Sequence, residues 1–188
     1  MKRCGWAKTK EEIQYHDYHW CRIKHDDHSL FEMLILEGLQ AGLSWRLILE
    51  RWDGLQDALD HFDYVKIAQY DDQKKAGLLV HPAMIKNRRK IDAIINNAKA
   101  FIETQKEFGS FDNYIWRFSD YKQIVNHYKT LDEVPAFTPL SKEISKDLKK
   151  RGFKFVGETI IYSYMQSIGM VNDHLIDCPY FKECQTKS

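Results

Sequence analysis

One segment, residues 86–107, limits what this chain can fold into more than any other. Ile91, Ile94, Ile95, Ala98, Phe101 and Ile102 recur at three- and four-residue steps and fall on one stripe of a long helix. Such a stripe must be covered by other elements, and the remaining periodic segments also read as helices. Ser29 and Glu32 have the form of a capping box opening a helix to about Leu39. Ser44 starts another, with Trp45, Ile48, Leu49 and Trp52 on one face. Short helices are predicted near Asp63, Asp71 and Asp112. No segment alternates polar and apolar residues as a half-buried strand does. The chain is therefore predicted to be all-α, a bundle of many short helices.

A length of 188 residues suits a single compact unit over 1–188, and no repeat, low-complexity tract or linker divides it. Formal net charge is only +1, which excludes a general polycation, so any nucleic-acid surface must come from local clustering. No apolar run reaches the roughly 18 residues of a membrane span, so no membrane partner is expected. The opening residues are basic without an apolar stretch behind them, unlike a signal peptide. A cytoplasmic location is expected. In that compartment Cys4, Cys21, Cys178 and Cys184 read as thiols or metal ligands rather than disulfides.

Residues 124–140 contain Pro135 and Pro139 and read as a connection. Ser141 then caps a helix to about Lys150, and Ile160, Ile161, Tyr164, Met165 and Ile168 line a second. Gly152 and Gly157 bracket the turn, which predicts a helix-hairpin-helix over about 141–168. Glycines allow close approach of a phosphate, and amides at a helix amino end point at an anion. Basic residues from Lys142 to Lys154 surround this turn, and Lys86, Arg88, Arg89 and Lys90 form a second cluster. Together they would make a footprint for a DNA backbone. An ordinary helical hairpin with a solvated basic face uses the same residues.

Two further constellations carry chemistry. Glu37 shares a helical face with Leu30, Leu34 and Ala41, and a charged acid in an apolar stripe costs several kcal/mol unless it is paired, protonated or facing a pocket. Trp45 follows eight residues later, close enough to line that pocket and to bind a planar, electron-poor ring. His174 and Cys178 stand one helical turn apart, the spacing of half a zinc site. The amino-terminal stretch offers Cys4, His16, His19 and Cys21 as partners, and spacing alone does not choose among them. Four protein ligands would saturate tetrahedral zinc and make the site structural.

The motifs RCGW (3–6), YHDYHW (15–20), LFEMLILEGLQAGLSW (30–45), NRRKIDAIINNAKAF (87–101) and LKKRGFKFVGETIIYSYMQSIGMVNDH (148–174) resemble the DNA-3-methyladenine glycosylase I family, in family order along nearly the whole chain. The resemblance implies a helix-hairpin-helix glycosylase fold, with a structural zinc site joining residues about 1–20 to residues about 170–188. It selects Cys4, His16, His174 and Cys178 as ligands, one zinc per chain, and leaves His19, Cys21 and Cys184 as bystanders, with Cys184 a rival for Cys178. It implies a base pocket of Glu37, Tyr15 and Trp45, with Trp6 and Trp20 as further walls and a methylated adenine stacked between Tyr15 and Trp45. Glu37 would receive the exocyclic amine and stabilise developing positive charge.

The implied reaction is hydrolytic release of 3-methyladenine from double-stranded alkylated DNA, without a lyase step, by a monomer needing no protein partner. Gly152, Lys154 and Gly157 would meet the DNA backbone, and Gly42 with Leu43 would fill the gap left by the flipped base. Asp173 is expected to orient the neighbouring imidazole or its backbone. The sequence departs from the family after Trp20, where Cys21-Arg22-Ile23-Lys24 replaces a segment commonly carrying Gly and Pro. A non-catalytic helix-hairpin-helix DNA-binding protein with structural zinc, and a zinc-stabilised protein-interaction module, are the rival readings.

Overall fold

Side-chain caps decide where most helices begin, and the computed structural model, which describes residues 2–185, shows which residues supply them. The helices are α1 (Lys10–Tyr18), α2 (Asp27–Gln40), α3 (Trp45–Glu50), α4 (Trp52–Ala58), α5 (Tyr64–Ile67), α6 (Asp72–Val80), α7 (Arg88–Phe108), α8 (Phe111–Trp116), α9 (Pro139–Lys150), α10 (Glu158–Ser167) and α11 (Tyr180–Glu183). Ser44, Asp63 and Asp71 cap α3, α5 and α6 as expected. The cap of α2 is Asp26, which accepts the Ser29 N–H at 2.8 Å, so Ser29 lies in the first turn. Ser110, rather than Asp112, caps α8. Thr138 caps α9 with Pro139 at the first helical position, and Ser141 answers from the third. In each case the helix starts upstream of the residue that the apolar pattern indicated.

The fold is mostly helical, but not purely so. β1 (Ile124–Val125) pairs in parallel with β2 (Val171–Asn172), Ile124 opposite Val171. Two-residue strands are too short to leave an alternating pattern. They tie the proline-bearing connection to the carboxyl-terminal segment.

The long stripe of α7 behaves as its sequence demands. Ile91, Ile94, Ile95, Ala98 and Phe101 are buried, and Phe101 stacks on Phe111 with centroids 4.1 Å apart. α2 packs against α7, α8 and α10, and α10 packs against α9. The central helix α2 is buried from Leu30 to Leu39, Glu32 and Glu37 included. Lys90 does not join a surface cluster. It is buried, and its Nζ donates to the carbonyls of Leu39 (2.6 Å) and Ala41 (2.7 Å), satisfying the end of α2.

Residues 151–157 join α9 to α10 as a tight turn. Gly152 has φ +91, which favours glycine, whereas Gly157 has φ −62 and caps α10 in an ordinary extended conformation. The second left-handed residue of the turn is Phe155, at φ +54. Asn97 of α7 grips the turn through both main-chain groups of Lys154, at 2.8 and 2.9 Å, and Asn96 donates to the Gly152 carbonyl at 2.7 Å. No helix is long and apolar enough to cross a membrane among the described residues.

Candidate active site and metal centre

The sequence placed Glu37 in an apolar stripe, and the fold aims it into a cavity of about 470 Å³. Trp6, Tyr15, Trp20 and Trp45 line the same cavity, so the structure brings all five of these residues together. Each arrives from a different route: Trp6 from the opening loop, Tyr15 from α1, Trp20 just after it, Glu37 from α2 and Trp45 from the first turn of α3. Glu37 is 3% exposed, and its carboxyl has no hydrogen bond among the described residues. Burial pushes it up to about 8. Burial, and then the nearby Glu37, push the Tyr15 phenol well above its ordinary value. The cavity therefore presents a carboxyl with unmet hydrogen-bonding capacity inside an aromatic wall.

Tyr15 and Trp45 meet edge to face, with centroids 5.1 Å apart and planes at 67°. As they stand, the two rings leave no slot for a third ring between them, so a planar ring entering the cavity could stack on only one of them and would meet the edge of the other. Trp6 packs edge-on against Trp20 at 5.0 Å, and its buried Nε1–H lacks a partner among the described residues. Trp20 is buried despite the unusual sequence that follows it. Cys21 adopts φ +58 there, and Lys24 folds back to donate to the carbonyls of His19 (3.0 Å) and Ser167 (2.7 Å).

Other walls had not been singled out. Thr159, Ser163 and Gln166 of α10 line the cavity, at steps of four and three residues opposite that helix's buried face. That polar stripe was visible in the sequence, but it is identical in form to a solvated face. Gln40, one turn beyond Glu37, also lines it. Leu131 and Val134 come from the connection between β1 and α9, and nothing in its pattern marked them. Gly42, with φ +75, and Leu43 form the loop between α2 and α3, held by Gln40 Nε2 donating to the Leu43 carbonyl at 2.6 Å.

The second constellation also assembles. Ligand atoms of Cys4, His16, His174 and Cys178 all lie within 4.8 Å of one another, and all four residues are buried. Cys4 Sγ lies 3.7 Å from His174 Nδ1, and Cys178 Sγ lies 3.7 Å from both His174 Nδ1 and His16 Nε2. A tetrahedron with bonds of about 2.3 Å to sulfur and 2.0 Å to nitrogen has S···N edges of about 3.5 Å. The S···N distances thus suit a four-coordinate ion held by these residues. Burial, and then His16, bring His174 down to about 3, while burial pushes the Cys4 thiol up to about 12. Two imidazoles and two cysteine sulfurs facing one another form the donor set of a borderline-soft divalent cation.

The surroundings orient these donors. Asp17 Oδ1 lies 2.8 Å from His16 Nδ1, and Arg3 holds the same carboxylate through two nitrogens at 2.8 to 3.0 Å. Cys184 is not an alternative to Cys178. Its sulfur lies 3.6 Å from His174 Nε2, on the ring nitrogen that faces away from the cluster. Asp173 does not reach the imidazole of His174. It accepts from Asn126 (2.7 Å), Tyr162 (2.5 Å) and Gln166 (2.7 Å), and so fixes the backbone before His174.

Residues 6–182 match the sequence model of the methyladenine glycosylase family. The chain belongs to that family. It is 43% identical over 178 residues to a DNA-3-methyladenine glycosylase of Haemophilus influenzae, covering 94% of this chain and 96% of that protein. It is 42% identical over 179 residues to DNA-3-methyladenine glycosylase 1 of Escherichia coli, covering 95% and 96%. Among solved structures, 3-methyladenine DNA glycosylase I from Staphylococcus aureus, described for its recognition of 3-methyladenine, superposes with a TM-score of 0.93 at 31% identity. That match covers 100% of this chain and 98% of the other. The matched residues include the whole lining of the aromatic cavity and three of the four cluster residues, His16, His174 and Cys178.

Proposed function

We propose that this chain is a base-excision repair glycosylase that releases 3-methyladenine from alkylated double-stranded DNA by hydrolysis. The observation that carries the reading is the buried, unpartnered carboxyl of Glu37 in an aromatic cavity, within a chain of this family. A base must leave the duplex to enter such a cavity, and a damaged base does so at lower cost than a paired one. Methylation leaves adenine with a positive charge, which favours the face of Trp45 or Tyr15. That charge also favours the ionised form of Glu37, whose carboxylate then accepts from the exocyclic amine.

The leaving base departs neutral, so little acid catalysis is needed. Water attacks an oxocarbenium-like sugar, and Glu37 with the DNA phosphates offsets its charge. No lysine lines the cavity among the described residues, which supports a monofunctional reaction without a Schiff-base step. The helix-hairpin-helix of α9 and α10, with Gly152, Lys154 and Gly157, would hold the DNA backbone at the open amino end of α10. Gly42 and Leu43 would fill the space left by the base. Cys4, His16, His174 and Cys178 would hold one structural zinc, which steadies the fold and supplies no chemistry to the bond being broken. His16 is next to Tyr15, so the clasp fixes a cavity wall. The protein would act as a cytoplasmic monomer.

Incubating the protein with methylated duplex DNA and assaying free bases tests the reading. Release of 3-methyladenine with an abasic site left in an unbroken strand is expected. Tight DNA binding without release of any base would establish the non-catalytic alternative instead.

A further inference from the structure

A groove of about 780 Å³ lies where α6, α7 and the α9–α10 turn meet, outside the cavity described above. Four cations line it: Lys75, Arg89, Lys99 and Lys154. Lys75 is offset by Asp72 and Asp92, at 3.3 and 3.4 Å. The side chains of Arg89, Lys99 and Lys154 are exposed and form no ion pair or hydrogen bond among the described residues. Four cations against the carboxylates of Asp72 and Asp92 leave the groove a positive excess, although the whole chain is near neutrality.

The spacing selects the kind of ligand. Arg89, Asn96 and Lys99 fall on one face of α7, and the ten residue steps from Arg89 to Lys99 rise about 15 Å along a helix. That separation equals the rise of about four nucleotides in one B-form strand. One phosphate or one mononucleotide cannot reach both ends, whereas a regularly charged backbone can. The third cation, Lys154, sits on the turn that Asn96 and Asn97 clamp to α7, so the three are held on one rigid wall.

The groove is also placed correctly relative to the base cavity. Phe155 lines the groove and lies against Gly38, where an added Cβ would stand 3.6 Å from that of Phe155. Gly38 adjoins Glu37 in α2, so only one helix separates groove and cavity. We infer that the groove holds the sugar–phosphate backbone of the duplex flanking the lesion, extending the footprint from the hairpin turn along α7 through Arg89 and Lys99. This rests on the DNA glycosylase reading.

The test uses Arg89→Ala/Lys99→Ala in the full chain, against a control, Lys66→Ala/Lys106→Ala, that removes two exposed charges elsewhere. Duplex binding is followed by fluorescence anisotropy from about 50 to 300 mM salt. The groove variant should lower the slope of log K against log salt by about 2, with equal loss for lesion and undamaged duplexes. Its Tm should match that of the parent, which shows that it folds. An unchanged slope, or an equal fall in the control pair, overturns the inference while parental excision still upholds the glycosylase reading. Absence of base release by the parent itself would instead remove that reading.

Discussion

Asp17 receives the Nδ1–H of His16 at 2.8 Å, which leaves Nε2 as the nitrogen that faces the Cys178 sulfur 3.7 Å away. Burial works against the Asp17 carboxylate, yet hydrogen bonds from Arg3 and His16 hold it at about 2. It remains an acceptor at neutral pH, so the proton of His16 is fixed on Nδ1. A carboxylate in this role sets both ring orientation and ligand basicity. Asp17→Asn is expected to weaken zinc binding by roughly 10- to 100-fold, measured by competition with a chromogenic chelator. Parental affinity in the variant would show that the imidazole needs no such support.

The two carboxyl-terminal cysteines should separate cleanly. Cys178→Ser removes a member of the four-residue cluster and is expected to lose the metal, whereas Cys184→Ser keeps about one zinc per chain. Elemental analysis after dialysis distinguishes them. Free zinc about 1,000-fold above Kd adds about 4 kcal/mol of stability, or roughly 8–16 °C in Tm for a chain of this size. Stripping the metal should lower Tm of the parent by that order and leave Cys178→Ser unaffected.

Glu37 carries a stability cost that depends on pH. Its folded pKa of about 8 lies above the ~4.3 of an unfolded glutamate. Between these values the folded state keeps a proton that the unfolded state has lost, so stability falls as pH rises and levels off above about 8. Glu37→Gln removes that slope. The variant should gain on the parent as pH rises from 5 to 8, by up to about 1.4 kcal/mol per pH unit. Urea unfolding at pH 5, 7 and 9 measures the difference, and parallel curves would contradict a buried, unpaired carboxyl. Binding of free 3-methyladenine by the same variant should weaken roughly 10- to 100-fold, with undamaged DNA bound as before.

Gly169 is the tightest backbone contact near the clasp. It has φ +75, and a Cβ there would stand 2.4 Å from the main chain of Arg22 and Ile23. Neither atom belongs to a flexible side chain. Gly169→Ala should cost about 3 kcal/mol or more, read from chemical denaturation. A loss below about 1 kcal/mol would mean that the Trp20–Lys24 loop can yield.

Much of the architecture was legible because it rests on short-range rules. The α7 stripe, the caps at Ser44, Asp63 and Asp71, and the placement of an acid in an apolar stripe at Glu37 follow from helical periodicity and local hydrogen bonding. The Cys/His cluster was legible for another reason, since the resemblance singled out Cys4, His16, His174 and Cys178 from a larger group of candidates, and the fold brings these four together. Asp26 and Thr138 were missed as caps because Ser29 and Ser141 fit the same pattern three residues later. β1 and β2 were missed because a strand pair of two residues is stabilised wholly by its partner.

The sequence by itself determined a mostly helical chain, one acid set in an apolar stripe, and a Cys/His half-site with several candidate partners. Only the tertiary structure decided which polar residues face inward, because a helix pattern reports a face and not what covers it. Thr159, Ser163 and Gln166 line a cavity rather than meet bulk water. Lys90, read as part of a surface cluster, instead closes α2 from within. Cys184 stands within reach of His174 but on its other nitrogen, a distinction of ring orientation that no spacing along the chain encodes.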